Sequence, residues 1–359
     1  MSPAVTPPAP GTAATRLPSP AAPARSAPRD PFFDNAKYLA IVLVALGHAW
    51  EPLTGGSRLA TALYTTVYAF HMPAFIVISG YFSRGFDLSP AKVKRLLTGV
   101  VVPYLVFQFA YVTFQHRFED AKPDPYEVLN PWYLNWFLAA LFVWRLTAPL
   151  WSVVRWPLPV AFVIATGASA TPGIGADLDL QRVMQFLPFF VLGLRLRPEH
   201  FALADRRWLR LAALPVFAAA IGLAYWAGSA LDSSWLYHNY SVQSLKAPLW
   251  AAPLAQLAMF AVALVLVACF FAWVPRRTVW FTALGAGTLY GYLLHGFLIK
   301  LSRWWDWYDA APWIRQPVGL AVVTVLAVAM VTVLCTRPVR RVLRCVVEPR
   351  MEWAFRKSA

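Results

Sequence analysis

The sequence predicts an all-α polytopic membrane protein of about ten transmembrane helices with both termini in the cytoplasm, and three observations carry that prediction. Of 359 residues, 59% are hydrophobic and only 14% are charged, whereas a soluble domain carries roughly a quarter charged residues. The apolar residues gather in ten runs, most near the ~20 residues that cross a bilayer as a helix. Basic residues then fall in alternate gaps between the runs. The first observation excludes a soluble enzyme. The 32 Lys and Arg against 17 Asp and Glu, a formal charge of +15, would point to nucleic acid on a soluble chain. Here their placement assigns them to membrane orientation, and no nucleic-acid partner is expected. Cys269, Cys335 and Cys345 have no spacing that makes a disulfide framework or a zinc site, so no metal is expected either.

Taken in order, residues 1–35 hold nine prolines and eight alanines with no apolar run, so they bury nothing and read as a disordered cytoplasmic tail. They lack the compact apolar core of a cleaved signal peptide, so the first span is expected to be retained. The runs follow at about 36–53, 60–83, 96–115, 132–150, 157–170, 181–196, 208–228, 248–273, 280–302 and 316–336, giving a membrane domain over 36–337. The fifth is short and flanked by Trp156, Pro157 and Pro159, and the sixth carries Arg182 and Gln185. Residues 338–359 read as a basic juxtamembrane tail. Its alternation from Arg337 to Arg344 suits anionic headgroups.

Charge placement orients the spans, because short cytoplasmic loops collect Lys and Arg. With the N-terminus inside, Arg16, Arg25 and Arg29, then Arg84, Lys92, Lys94 and Arg95, then Arg155, Arg195, Arg197, Arg206, Arg207, Arg210, Arg276 and Arg277, and finally Arg337 to Lys357, all fall inside. The outer loops are acidic instead: Glu119, Asp120, Asp124 and Glu127, Asp177 and Asp179, Asp232, Asp306 and Asp309. Tryptophans and tyrosines at span ends, such as Trp132, Tyr133 and Trp136, read as interfacial aromatics.

An ionisable residue inside a span is costly unless it faces protein or a wet cavity, which makes each a functional candidate. Lys37 and His48 lie eleven residues apart in span one, within about 20° of three full turns, so they share a face roughly 16 Å apart. Lys37 also reads as a snorkelling anchor. Glu51, three residues after His48, lies within reach of the imidazole. His71 in span two and His295 in span nine fall at middle to outer depth by the same rise, His71 at the depth of His48. Gly80, Gly285, Gly287 and Gly291 read as close-packing positions. Arg145 sits well inside a span and wants an anion.

A mid-membrane base, cations on the cytoplasmic side and aromatic outer loops suit two classes. One is an acyltransferase joining a cytosolic phosphorylated donor to an external hydroxyl, with histidine as general base. The other is a proton-coupled transporter using the same histidines as a relay.

The residues also carry a resemblance. Asp34-Asn-Ala-Lys37, Leu46-Gly-His48, Phe70-His71-Met-Pro, Ser79-Gly-Tyr81-Phe82, Lys92-Val-Lys94-Arg95, Trp136-Phe through Arg145, and Tyr292-Leu-Leu-His295 resemble a membrane-bound acyltransferase of family 3, near the fucose 4-O-acetylase-like group. The likeness covers about residues 30–337. It implies an essential histidine at His48, a basic residue eleven positions earlier at Lys37, where the family more often has arginine, and a basic pair at Lys92 and Arg95. It further implies acyl-CoA, most often acetyl-CoA, as donor and no metal. The implied acceptor is a sugar hydroxyl of a surface polysaccharide, glycolipid or metabolite, met at a bacterial plasma membrane. On this reading Lys37, Lys92, Lys94, Arg95 and Arg145 meet CoA phosphates, and His48 is the base or a transient acyl carrier. Glu51 orients His48, and His71 or Tyr81 hydrogen-bonds the oxyanion. Trp235, Tyr237 and His295 contact the acceptor, although interfacial anchoring also explains the two aromatics.

Overall fold

A computed structural model describes residues 30–118, 124–175, 177–230, 232–349 and 351–355. The predicted tail through residue 29, and Glu119, Asp120, Arg350, Arg356 and Lys357, lie outside these. The described residues form helices and loops, with no strand among them. Six segments are long and apolar enough to cross a membrane: Arg58–Ser83, Pro90–Phe118, Tyr133–Val153, Arg207–Ala227, Ala251–Trp273 and Pro317–Leu334. The other four apolar runs are also helical but are shorter or carry more polar residues, and length and composition alone do not count them as spans.

The first of these is α1, Pro31–Trp50, with 13 of its 20 residues buried against the surrounding helices. It begins five residues before its apolar run. The reason is tertiary: Asn35 Nδ2 donates to the carbonyls of Pro275 and Arg277, and Asn35 Oδ1 accepts from Thr282 Oγ1 at 2.7 Å. A polar residue so satisfied can be buried at a helix start.

The second run breaks into α2, Arg58–Tyr68, and α3, His71–Ser83. His71 opens α3 and Pro73 sits in its first turn, where a missing N–H costs nothing. The break leaves the Val67 carbonyl facing the ring of His71, whose Nδ1 lies 2.8 Å away.

A short α4, Pro90–Leu96, winds through a wide turn at Leu97–Val101 into α5, Val102–Phe118. Next come α6, Trp136–Val153, and α7, Pro157–Ala170, only 14 residues long. The sixth run is two short helices, α8, Leu180–Gln185, and α9, Leu187–Arg195. Pro188 lacks the N–H a continuous helix would need. Gly80 of α3 and Gly193 of α9 meet backbone to backbone, where a Cβ on either would strike the other helix. Gly285, Gly287 and Gly291 are likewise filled positions, against Asp34 and Cys335.

The rest of the bundle is α10, Pro198–Leu203, α11, Arg207–Ala227, α12, Ala251–Trp273, α13, Thr288–Trp304, and α14, Pro317–Leu334. The basic segment after α14 forms a helix, α15, Arg337–Val347, which buries Val347 and half-buries Leu343 and Val346 while Arg337, Arg341 and Arg344 stay exposed. Such one-sided segregation suits a helix lying along an interface.

Candidate active site

Near the C-terminal end of α1, a cavity of about 350 Å³ is walled by His48, Glu51, Tyr64, Tyr68, His71, Tyr133, Trp136, Arg182, Tyr237 and Tyr292, with Val44, Met72, Leu134, Phe186 and Leu236 between them. Gly47 lets the Tyr68 ring pack directly on α1. Tyr68 then stands between the two cavity histidines, 6.4 Å from the His48 ring and 4.8 Å from that of His71. Behind His48 lies His295, wholly buried, its ring 5.6 Å from that of His48. Three histidines from three separate helices therefore converge.

Their hydrogen bonds differ. His71 Nδ1 faces the Val67 carbonyl, and His295 Nδ1 lies 2.9 Å and 2.8 Å from the carbonyls of Gly291 and Tyr292. A carbonyl only accepts, so both rings carry their proton on Nδ1 and present an accepting Nε2. His48 Nδ1 is buried and makes no hydrogen bond among the described residues. Its Nε2 is the nitrogen left to meet a molecule in the cavity.

Several contacts that the sequence leads one to expect are not made in this geometry. Glu51 does not hydrogen-bond His48: its Oε2 stands 4.0 Å from Nδ1 and is held at 2.8 Å by Arg303. His71 spends its Nδ1–H on the Val67 carbonyl, so in the neutral ring Nε2 accepts and has no proton to give an oxyanion. Tyr81 is remote, stacked on Phe33 with the Arg84 guanidinium 3.7 Å from its ring centre. Phe33 precedes His48 by fifteen residues of helix, about 22 Å. His295 is buried off the cavity wall, so it meets His48 and no acceptor. Of the two outer aromatics, Tyr237 joins the cavity through its hydroxyl, 2.6 Å from that of Tyr64, whereas Trp235 does not line it.

At the other end of α1 is a second pocket of about 260 Å³, walled by Phe82, Ser83, Gly85, Phe86, Lys92, Arg95, Leu96 and Arg145. Lys37 borders it, its ammonium 5.6 Å from the Phe82 ring centre and 2.7 Å from Asp34. Arg145 Nε donates to Ser83 Oγ at 3.3 Å. Lys92 donates to the Gly85 carbonyl and to Asp87 at 2.9 Å. Asp87 is held down to about 2, first by its hydrogen bonds from Ser89 and then by Lys92. Lys94 points elsewhere, over the Phe355 ring. Lys92, Arg95 and Arg145 thus line one pocket, with Lys37 against its Phe82 wall.

Sequence reasoning missed two cavity residues, Arg182 and Tyr133, and Arg303 beside them. Arg303 looks like an ordinary charge at a helix end, yet its Nη2 reaches Glu51 and, at 3.4 Å, the His48 carbonyl. Arg182 looked like a flaw in a weak span, but it lines the cavity, donating to Asp179 and to the Tyr237 carbonyl. Tyr133 looked like an interfacial anchor. Its ring stands 5.1 Å from His48, its hydroxyl is buried without a partner among the described residues, and its backbone has φ +53°. A bulky residue held there stores strain, which gathers at functional sites. No sequence signal marks it.

The many-helix chain thus carries a histidine cavity at one end of α1 and clustered cations at the other. The chain belongs to the acyltransferase 3 family: a family model described as an acyltransferase domain matches residues 30–334. The protein is a multi-pass membrane acyltransferase. No curated protein and no solved structure matches it.

Proposed function

We propose that the protein transfers an acyl group, as acetyl, from cytosolic acetyl-CoA to a hydroxyl of an extracytoplasmic sugar, within the fucose 4-O-acetylase-like group of its family. The observation that carries this reading is His48: it lines the cavity with one nitrogen turned toward it, on the same helix as a lysine at the edge of the basic pocket. In this reading ten segments cross a bacterial plasma membrane and both termini face the cytoplasm. The basic pocket then opens inward and the histidine cavity lies toward the outside, as the charge bias of the loops requires.

CoA phosphates meet Lys92, Arg95 and Arg145, whose forked and pointed donors suit phosphate oxygens, with Lys37 at the rim. The thioester extends along α1 toward His48. The acceptor hydroxyl gives its proton to His48 Nε2 as its oxygen attacks the thioester carbonyl. The C–S bond breaks as the C–O bond is completed, and the proton held on His48 passes to the departing thiolate, leaving CoA and an ester. Tyr133 supplies a hydroxyl donor for the oxyanion, and its lack of another partner suits that task. The tyrosine walls present faces on which a sugar ring stacks.

The test is release of CoA from acetyl-CoA by the protein in nanodiscs, first to water and then to sugar acceptors. Saturable release that disappears in His48→Ala, with acetyl-CoA binding retained, is the expected result. Equal release by His48→Ala would remove His48 from the chemistry, and a trapped acyl-histidine would replace base catalysis with a covalent route.

A further inference from the structure

A histidine that takes a proton on Nε2 needs its Nδ1–H held, because the wrong tautomer offers the substrate no lone pair. Glu51 is the residue whose sequence spacing suggests that role, yet its carboxylate is 4.0 Å from His48 Nδ1 and is engaged by Arg303. The His48 carbonyl also receives Arg303 Nη2 at 3.4 Å. The arginine thus ties carboxylate and backbone together and draws Glu51 away from the ring.

A different acceptor lies on α13. His295 is 0% exposed, and its Nδ1 is committed to two carbonyls, so Nε2 carries a lone pair. That nitrogen is buried without a hydrogen-bond partner among the described residues, as is His48 Nδ1. The two rings are neighbours, with centres 5.6 Å apart at 42°. Two buried ring nitrogens without partners are each costly alone, and the cost is relieved when one donates to the other. Catalytic hydrogen bonds are often long until substrate is bound, and the movement needed here falls to His48, because His295 is held by its two carbonyls.

We propose that His295 is the positioning residue of the reaction: its Nε2 accepts the Nδ1–H of His48 and so keeps His48 Nε2 free to take the acceptor's proton. The dyad uses a neutral imidazole where many enzymes use a carboxylate. It leaves Glu51, held by Arg303, as part of the wall of the acceptor cavity. This rests on the reading of His48 as the base. His295 itself touches neither donor nor acceptor, since it lies off the cavity wall.

The experiment compares His295→Ala and His295→Gln with wild type for acetyl-CoA hydrolysis in nanodiscs. Alanine should lower kcat about 100-fold with KM for acetyl-CoA within about twofold, the pattern of an interaction used only in the transition state. Glutamine offers an amide oxygen as acceptor and should recover activity to within about 10-fold of wild type. Alanine at more than half of wild-type kcat, or glutamine no better than alanine while both still bind acetyl-CoA, overturns the proposal. A second readout needs no turnover: in 15N-histidine-labelled wild type, His295 Nε2 should show the shift of a hydrogen-bonded acceptor that reverts in His48→Ala. A shift that does not change on that substitution overturns the dyad, whereas wild type that releases no CoA overturns the assignment of His48 as base and leaves the spectroscopic test standing.

Discussion

The two pockets along α1 differ in what their polar groups are doing. In the basic pocket the cations are already engaged: Lys92 with Asp87 and a carbonyl, Lys37 with Asp34, Arg145 with Ser83. In the histidine cavity two groups differ, since His48 Nδ1 and the Tyr133 hydroxyl are buried with no partner among the described residues. Partly exposed charges already held by exchangeable partners suit binding and release, because such pairs contribute little net stability. Buried groups with unspent hydrogen-bonding capacity suit chemistry, because a transition state that completes them recovers their desolvation cost. On the proposed function, one end of the helix holds and lets go, and the other reacts.

If that contrast is right, substitutions at the two ends should separate in kcat and KM, and the largest effect belongs to the reacting end. His48→Ala should lower CoA release by about 1,000-fold or more with the donor still bound, as loss of a catalytic base does. A modest loss would break the comparison at its centre. Tyr133→Phe removes one hydroxyl and should lower kcat about 100-fold, the scale of one oxyanion donor, with KM little changed. Rapid kinetics at saturating acetyl-CoA reads it directly.

At the binding end the expected effects are smaller and fall on KM. Arg95→Ala should raise KM for acetyl-CoA about 10-fold at low salt, and the difference from wild type should shrink as ionic strength rises. A loss confined to kcat would erase the distinction between the pockets. Asp87→Asn should act in the reverse direction, lowering KM about twofold by freeing Lys92 for phosphate. The sign with pH follows from the depressed carboxyl, which loses its charge only as pH falls through about 2. Acidification within the working range therefore should not reproduce the substitution, and a titration of KM against pH checks this.

How much of this was legible in the chain depends on the range of the interaction. The apolar runs recover the helices, and the early start of α1 escaped because Asn35 is buried by bonds to residues some 240 positions away. Lys37 and His48 share a helix, so their relation follows from helical rise alone. Lys92 and Arg95 fall at one pocket for the same local reason, and Lys94, between them, turns to Phe355. Tyr81 shows the limit: its place in a suggestive motif says nothing about which end of α1 its ring meets.

By itself the sequence determined an all-helical membrane chain with a histidine far along the first helix, a lysine three turns before it and basic residues between the apolar runs. Those properties follow from composition and from the period of a single helix. Only the tertiary structure decided that Arg303 takes Glu51 from His48, that Tyr133 is bent into the cavity, and that His295 stands behind His48 with an open nitrogen. Each depends on the rotation and crossing of separate helices, set by packing such as the contact between Gly80 and Gly193. A shift of about one residue in that packing turns a side chain by roughly 100°, enough to bring a nitrogen to its partner or to face it toward lipid.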